Sequence, residues 1–167
     1  RSTLMRSSAA SDVYKRQEWI LDIYGEGEDK TMLLEKRKNL ALENSVLFHP
    51  PTLDIYQKYM DSDFYVMSSR FEGFGLVLAE AMSCGIPCVS FDCPHGPSDI
   101  IKDYEDGLLV EKENIKELAD KICYLIENEN VRIKMGHKAR ENVKRFLPEN
   151  VMPQWKNLFE SLTYSSK

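Results

Sequence analysis

No stretch of the 167 residues approaches 18 consecutive apolar side chains, so the sequence offers no membrane-spanning helix. An excess of basic charge is lacking. Twenty-two Lys and Arg stand against 27 Asp and Glu, a net charge of −5, which argues against a nucleic-acid binder. There is no C-x-x-C among the four cysteines (Cys84, Cys88, Cys93, Cys123), and no histidine follows them at zinc-finger spacing. Cys84 and Cys88 lie in apolar stretches and read as buried thiols, which fits a reducing, cytosolic compartment. No G-x-S-x-G elbow is present, and Asp92, His95 and Ser98 are too crowded and in the wrong order for a hydrolytic triad. Gly25-Glu26-Gly27 is not a dinucleotide fingerprint, because Lys30 stands where a third glycine belongs. Asp61-Ser62-Asp63 precedes a strand and reads as a turn rather than a metal site. Neither repeats nor low-complexity tracts occur beyond the chain's first segment.

That first segment, residues 1–17, has little apolar character and no periodicity. Asp12–Gln17 (DVYKRQ) is what a sequencing-library adaptor reads as when translated. The expectation is a non-native or disordered leader outside the fold, with no targeting signal to be read from it. It holds four basic residues and one acidic one, and without it the net charge falls to −8. The remaining chain, 43% hydrophobic and 29% charged over the full length, is enough for one domain with its own core.

Residues 64–91 organise the rest. Phe64–Ser68 reads as a strand, Glu72-Gly73-Phe74-Gly75 as a glycine turn, Leu76–Met82 as an apolar helix holding one charge, Glu80, and Cys88–Phe91 as a second strand. Strand, turn, helix, strand is one βαβ unit, which predicts an α/β fold with a Rossmann-like parallel sheet and helices on both faces. Gly73 and Gly75 let the backbone approach a ligand where free helix-end amides gather, a site suited to phosphate. A carboxylate at Glu80, among Leu76, Val77, Leu78, Ala79, Ala81 and Met82, calls for hydrogen-bond partners. A ribose diol would supply two donors; a buried arginine or a backbone cap would serve as well.

Further elements follow the same logic. Glu18–Tyr24 and Val46–Phe48 read as strands. Asp29–Leu42 reads as a helix with Met32, Leu33, Leu40 and Leu42 inward, and Leu53–Met60 as a helix capped by Thr52. Ser98–Lys102 reads as a short helix, Gly107–Val110 as a strand, and Ile115–Glu127 as a helix with Leu118, Ile122, Leu125 and Ile126 on one face. Val131–Phe146 reads as a helix whose Arg132, Lys134, Lys138, Arg140, Lys144 and Arg145 form a solvated face. Pro148 ends it, and Pro153 opens a last helix with a Trp155, Leu158, Phe159, Leu162 stripe.

The stretch SSRFEGFGLVLAEAMSCGIPCVSFDCPHGPSDII resembles the donor-site signature of retaining glycosyltransferases of the GT-B fold, family 4: a glutamate, seven residues, and a second glutamate, here Glu72 and Glu80. WILDIYGEGED, VLFHPP and DGLLV resemble further pieces of that family's carboxyl-terminal domain in the right order, so the resemblance covers about residues 18–162. It implies that Glu72 contacts the donor sugar at the reaction centre. It implies that Glu80 holds the ribose, and that the amides of Gly73, Phe74, Gly75 and Leu76 hold sugar and diphosphate. His49 and Pro50 would lie beside the base, though His49 alone reads as a plain loop residue. The implied activity is transfer of a hexose or N-acetylhexosamine from a nucleotide-diphosphate sugar, a uridine-diphosphate sugar above all, to a glycan or lipid-linked acceptor, as in bacterial surface-polysaccharide assembly. No metal and no other cofactor is expected; the nucleotide sugar is the partner, with no nucleic acid, and a cytoplasmic place with peripheral membrane contact left open. A non-catalytic nucleotide-sugar-binding module is the alternative. The resemblance also implies that the acceptor domain, the donor domain's first strand and helix, and an Arg and a Lys that clamp the diphosphate are not in this chain. The sheet would then have an uncovered edge beside Glu18–Tyr24. The last helix, 151–162, would cross toward the acceptor domain, leaving 163–167 as a tail.

Overall fold

Apolar β-branched and aromatic runs set the strands, and glycine, proline and aspartate separate them. The computed structural model describes residues 2–7 and 19–164. The strands are β1 (Ser2–Ser7), β2 (Trp19–Tyr24), β3 (Val46–His49), β4 (Phe64–Met67), β5 (Cys88–Asp92) and β6 (Gly107–Glu111). The helices are α1 (Lys30–Asn39), α2 (Ile55–Met60), α3 (Leu76–Ser83), α4 (Pro97–Ile100), α5 (Ile115–Glu127), α6 (Glu129–Asn142) and α7 (Pro148–Tyr164), with a 3₁₀ turn at Val143–Phe146. The sheet runs β3-β2-β1-β4-β5-β6, the order of a doubly wound fold. β2–β3, β4–β5 and β5–β6 pair in parallel. β1 alone is antiparallel, to both neighbours.

Two observations correct the expectation for the leader. Ser2–Ser7 forms a strand at the sheet's centre, with Leu4 and Met5 buried on opposite faces. The place beside β2 is therefore filled, and the sheet's edges are β3 and β6. The DVYKRQ stretch lies outside the described residues.

The core has two layers. Leu4, Tyr65, Met67 and Cys88 meet Leu78, Ala81 and Met82 of α3 on one face. Met5, Trp19, Phe64, Val66 and Val89 meet Leu125 of α5 on the other. All four β4 residues are buried, as a strand covered on both faces must be. The α5 stripe is as expected: Leu125 is buried and Leu118, Ile122 and Ile126 pack against the same core.

Elsewhere the pattern misleads. α1 buries no residue; Met32, Leu40 and Leu42 are exposed. Its inward row is Leu33, Leu34 and Arg37, all half-buried, and the Arg37 guanidinium lies 5.8 Å from the Phe48 ring and donates to the Val46 carbonyl at 3.2 Å. Arg132 is not solvated. It is buried, donates to the Leu125 carbonyl (2.6 Å) and Asp63 (3.2 Å), and sits 5.0 Å from the Trp19 ring. That pairing gives Asp63 a structural partner, and Asp61 accepts from Gln57 Nε2 at 2.8 Å. Arg145 caps α4 by donating to the Asp99 and Ile100 carbonyls. Pro148 begins the last helix rather than ending its predecessor, and Pro153 lies inside it. Trp155, Leu158, Phe159 and Leu162 stay half exposed, with Trp155 and Phe159 stacked at 5.8 Å. All four cysteines are free thiols; Cys88 is buried, but Cys84 only half so.

Candidate functional site

In a doubly wound sheet the ligand crevice lies at the carboxyl ends of the strands, where the strand order reverses. Here that point is flanked by the β4–α3 turn on one side and the ends of β2 and β3 on the other.

The β4–α3 turn is shaped by two glycines. Gly75 caps α3 with φ +84°, ψ 44°, a left-handed geometry that an L side chain adopts only at ~1–2 kcal/mol. No side chain caps the first turn of α3 and no acidic residue stands in it, so its amides and positive dipole end face outward. Gly96, in the loop after β5, has φ +111°, and a Cβ there would lie 1.8 Å from the Phe74 carbonyl oxygen. The two loops are thus locked backbone to backbone. Ring contacts extend the lock: Phe74 meets Phe146 edge-on at 5.5 Å, and Phe71 meets His95 at 6.3 Å.

Glu72, Phe74, Gly75 and Leu76 line a cavity of about 1150 Å³ together with Ser68 and Ser69. The cavity continues along the sheet past Met5, Leu21 and Ile23 to Leu118 and Ile122 of α5. Glu72 is half-buried, and no ion pair or hydrogen bond engages its carboxylate among the described residues. Its charge is felt nearby. Burial, then the Glu72 carboxylate, pushes the Cys93 thiol up, and burial followed by Tyr59, Cys88, Glu72 and Glu80 pushes the Tyr65 phenol up. Cys93 is 2% exposed and was not legible as a neighbour of Glu72.

Glu80 departs from expectation in its surroundings. Leu78, Ala81 and Met82 are buried, but Leu76 is 66% exposed and Glu80 itself is half-buried on the same helix. It is not a carboxylate sealed in the core, and among the described residues its side chain has no hydrogen-bond partner. Neither Glu80 nor Gly73 lines the cavity; around Gly73, nothing lies within 4 Å of an added Cβ.

His49 and Pro50 fall in a second cavity of about 660 Å³, shared with Asp22, Tyr24, Pro51, Thr52 and Lys58. His49 Nε2 is 2.6 Å from Oδ1 of Asp22, which is 3% exposed, and the Tyr24 ring stacks on the imidazole at 4.6 Å. Parallel pairing of β2 and β3 sets Tyr24 beside His49. The only signal for this cluster was the single charge inside the apolar run WILDIY. Among the described residues no group of three or more His, Cys, Asp or Glu could hold a metal ion.

These features define a doubly wound α/β protein with an open, glycine-shaped helix terminus and a carboxylate in the cavity beside it. The chain belongs to the glycosyl transferases group 1, whose family model matches residues 5–142. It is 38% identical over 140 residues to poly(ribitol-phosphate) alpha-N-acetylglucosaminyltransferase of Staphylococcus aureus, covering 83% of this chain and 28% of that protein. It is 35% identical to the amylovoran biosynthesis glycosyltransferase AmsD of Erwinia amylovora, covering 88% of this chain and 42% of that one. Among solved structures, an S. aureus TarM variant in complex with UDP, fondaparinux and alpha-GlcNAc-glycerol superposes with a TM-score of 0.81 at 36% identity, over 88% of this chain and 30% of that one. The pneumococcal O-GlcNAc transferase GtfA in complex with UDP and GlcNAc gives 0.77 at 29% identity, over 90% of this chain and 31% of that one. The chain thus spans less than half the length of these relatives.

Proposed function

We propose that the chain is the donor-binding domain of a retaining, family 4 glycosyltransferase that takes a hexose or N-acetylhexosamine from a uridine-diphosphate sugar. The acceptor, a glycan or lipid-linked polymer, would be held by a part of the enzyme outside this chain. The observation that carries this reading is the left-handed Gly75 turn at the carboxyl end of β4, which sets Glu72 in a cavity and opens α3, with Glu80 eight residues on. Relatives solved with UDP support the choice of nucleotide.

The chemistry follows from the leaving group. A departing nucleoside diphosphate gathers negative charge on its β-phosphate. The α3 amides from Gly73 to Leu76 meet that charge with fixed dipoles and need no metal to do so. Glu72 faces the sugar, where its carboxylate orients hydroxyls or balances positive charge at the anomeric carbon. Glu80 accepts from the ribose diol; its half-exposed, partnerless carboxylate is suited to that. The base lies toward His49 and Pro50. From β3 to β4 is three interstrand steps, about 14 Å, the scale of an extended nucleoside diphosphate.

The test has two parts. Titrating the ¹⁵N-labelled chain with UDP should shift the Gly73, Gly75 and Leu76 amides first. Turnover of UDP-sugar by the parent enzyme should give a product of unchanged anomeric configuration by proton NMR. Inverted product would refute the retaining assignment, and UDP shifts confined to other loops would refute the donor site.

A further inference from the structure

We propose that Asp22 is a positioning residue for nucleobase selection: it holds the His49 ring with Nε2–H on its carboxylate, so that Nδ1 meets the base as a hydrogen-bond acceptor. This deepens the donor-site reading above and rests on it.

Three constraints fix the ring. The Nε2–Oδ1 contact is 2.6 Å, short even for a charge-assisted hydrogen bond, and the Asp22 side chain is only 5% exposed. Tyr24 stacks on the imidazole at 4.6 Å with the planes 18° apart, which opposes rotation about χ2. Finally, the His49 carbonyl accepts from the Gly25 amide at 3.1 Å, tying the ends of β2 and β3 together. A buried carboxylate partner decides the tautomer of a neutral imidazole: the bonded nitrogen carries the proton and the other keeps its lone pair. Nδ1 has no hydrogen-bond partner among the described residues, and the His49 side chain is 33% exposed. Lys58 and Asp61 line the same cavity, yet neither bonds to the ring.

An acceptor at this place sorts bases by one atom. Uracil and guanine carry a ring N–H on their pairing edge; cytosine and adenine carry a lone pair at the matching position. The first pair gains a hydrogen bond from Nδ1. The second sets lone pair against lone pair, and the mismatch leaves both acceptors desolvated and unpaired. The site therefore selects a base with a ring N–H, and Asp22 enforces the choice without touching the nucleotide.

The experiment uses the full 167-residue chain and four probes: UDP, GDP, CDP and ADP. Long-range ¹H–¹⁵N NMR should show His49 protonated at Nε2 and bare at Nδ1. UDP and GDP should bind at least tenfold more tightly than CDP and ADP, and comparing the first two separates a one-ring from a two-ring preference. His49→Ala, at a partly exposed position, should level all four probes to within about threefold while the Gly73–Leu76 amides still shift. Asp22→Asn should lose the single-tautomer ¹⁵N signature and the selectivity together. A His49 ring protonated at Nδ1, or base selectivity that survives His49→Ala, overturns this inference alone. No saturable binding of any probe overturns the donor-site reading and this inference with it.

Discussion

Gly96 is where the local geometry is least forgiving, and Gly96→Ala should show it. The added Cβ would lie 1.8 Å from the Phe74 carbonyl oxygen and 2.4 Å from its carbon, so one of the two loops must retreat. The backbone at φ +111° adds strain of its own, ~1–3 kcal/mol for an L residue. Overpacking against backbone adds ~1–3 kcal/mol. Together the loss is about 2–6 kcal/mol, a large part of the ~5–15 kcal/mol that keeps a domain folded. For a domain of this size that lowers Tm by about 4–24 °C in a thermal melt followed by circular dichroism. The displaced segment is the Phe74 turn, whose amides open α3, so UDP binding should weaken as well. A variant that melts within about 2 °C of wild type would refute the claim that these two loops are locked.

Three further outcomes follow from the same structure. Gly73→Ala is the converse case: nothing lies within 4 Å of the new methyl, so stability should stay within about 0.5 kcal/mol while UDP affinity drops at least tenfold by calorimetry; unchanged affinity would put the diphosphate elsewhere. Arg132→Ala strips the Leu125 carbonyl and Asp63 of a buried donor and should cost about 2–3 kcal/mol, read as a Tm lower by roughly 4–12 °C; a neutral result would return Arg132 to the solvated face. Alkaline pH should destabilise the fold. The thiols of Cys88 and Cys93 and the Tyr65 phenol are all pushed up, chiefly by burial, so the folded chain holds their protons more tightly than the unfolded one. Their contribution is full below the ordinary thiol value of 9.0 and is lost as pH rises above it. Tm should therefore fall between about pH 9 and 10.5, less steeply in Cys88→Ala, and a flat profile would contradict the burial of these groups.

The βαβ unit at 64–91 was legible because its signals agree: an apolar strand, glycines where a left-handed cap is needed, and Gly85 and Pro87 ending the helix. The α5 stripe was legible for the same reason, its apolar residues recurring at helical spacing. β1 was not. Six residues with serines at both ends carry too little pattern, and what makes them a strand is pairing with β2 and β4. α1 misled because leucines and methionines on an edge helix need not face inward, and the stem of Arg37 covers Phe48 instead. Arg132 and Arg145 looked solvated because their acceptors, Leu125, Asp63, Asp99 and Ile100, come from other elements. At the candidate site, Glu72 and the glycine turn could be read from the chain, whereas the Asp22–His49 pair, 27 residues apart, needed the β2–β3 register.

Calorimetric titration of UDP into the wild-type chain and into Glu80→Ala decides whether this helix holds a nucleotide. The donor-site reading predicts saturable binding that weakens at least tenfold, about 1.4 kcal/mol, in the variant, with Tm unchanged because the Glu80 side chain has no hydrogen-bond partner among the described residues to lose. Equal affinity in both proteins would contradict it and leave Glu80 as a surface carboxylate on α3.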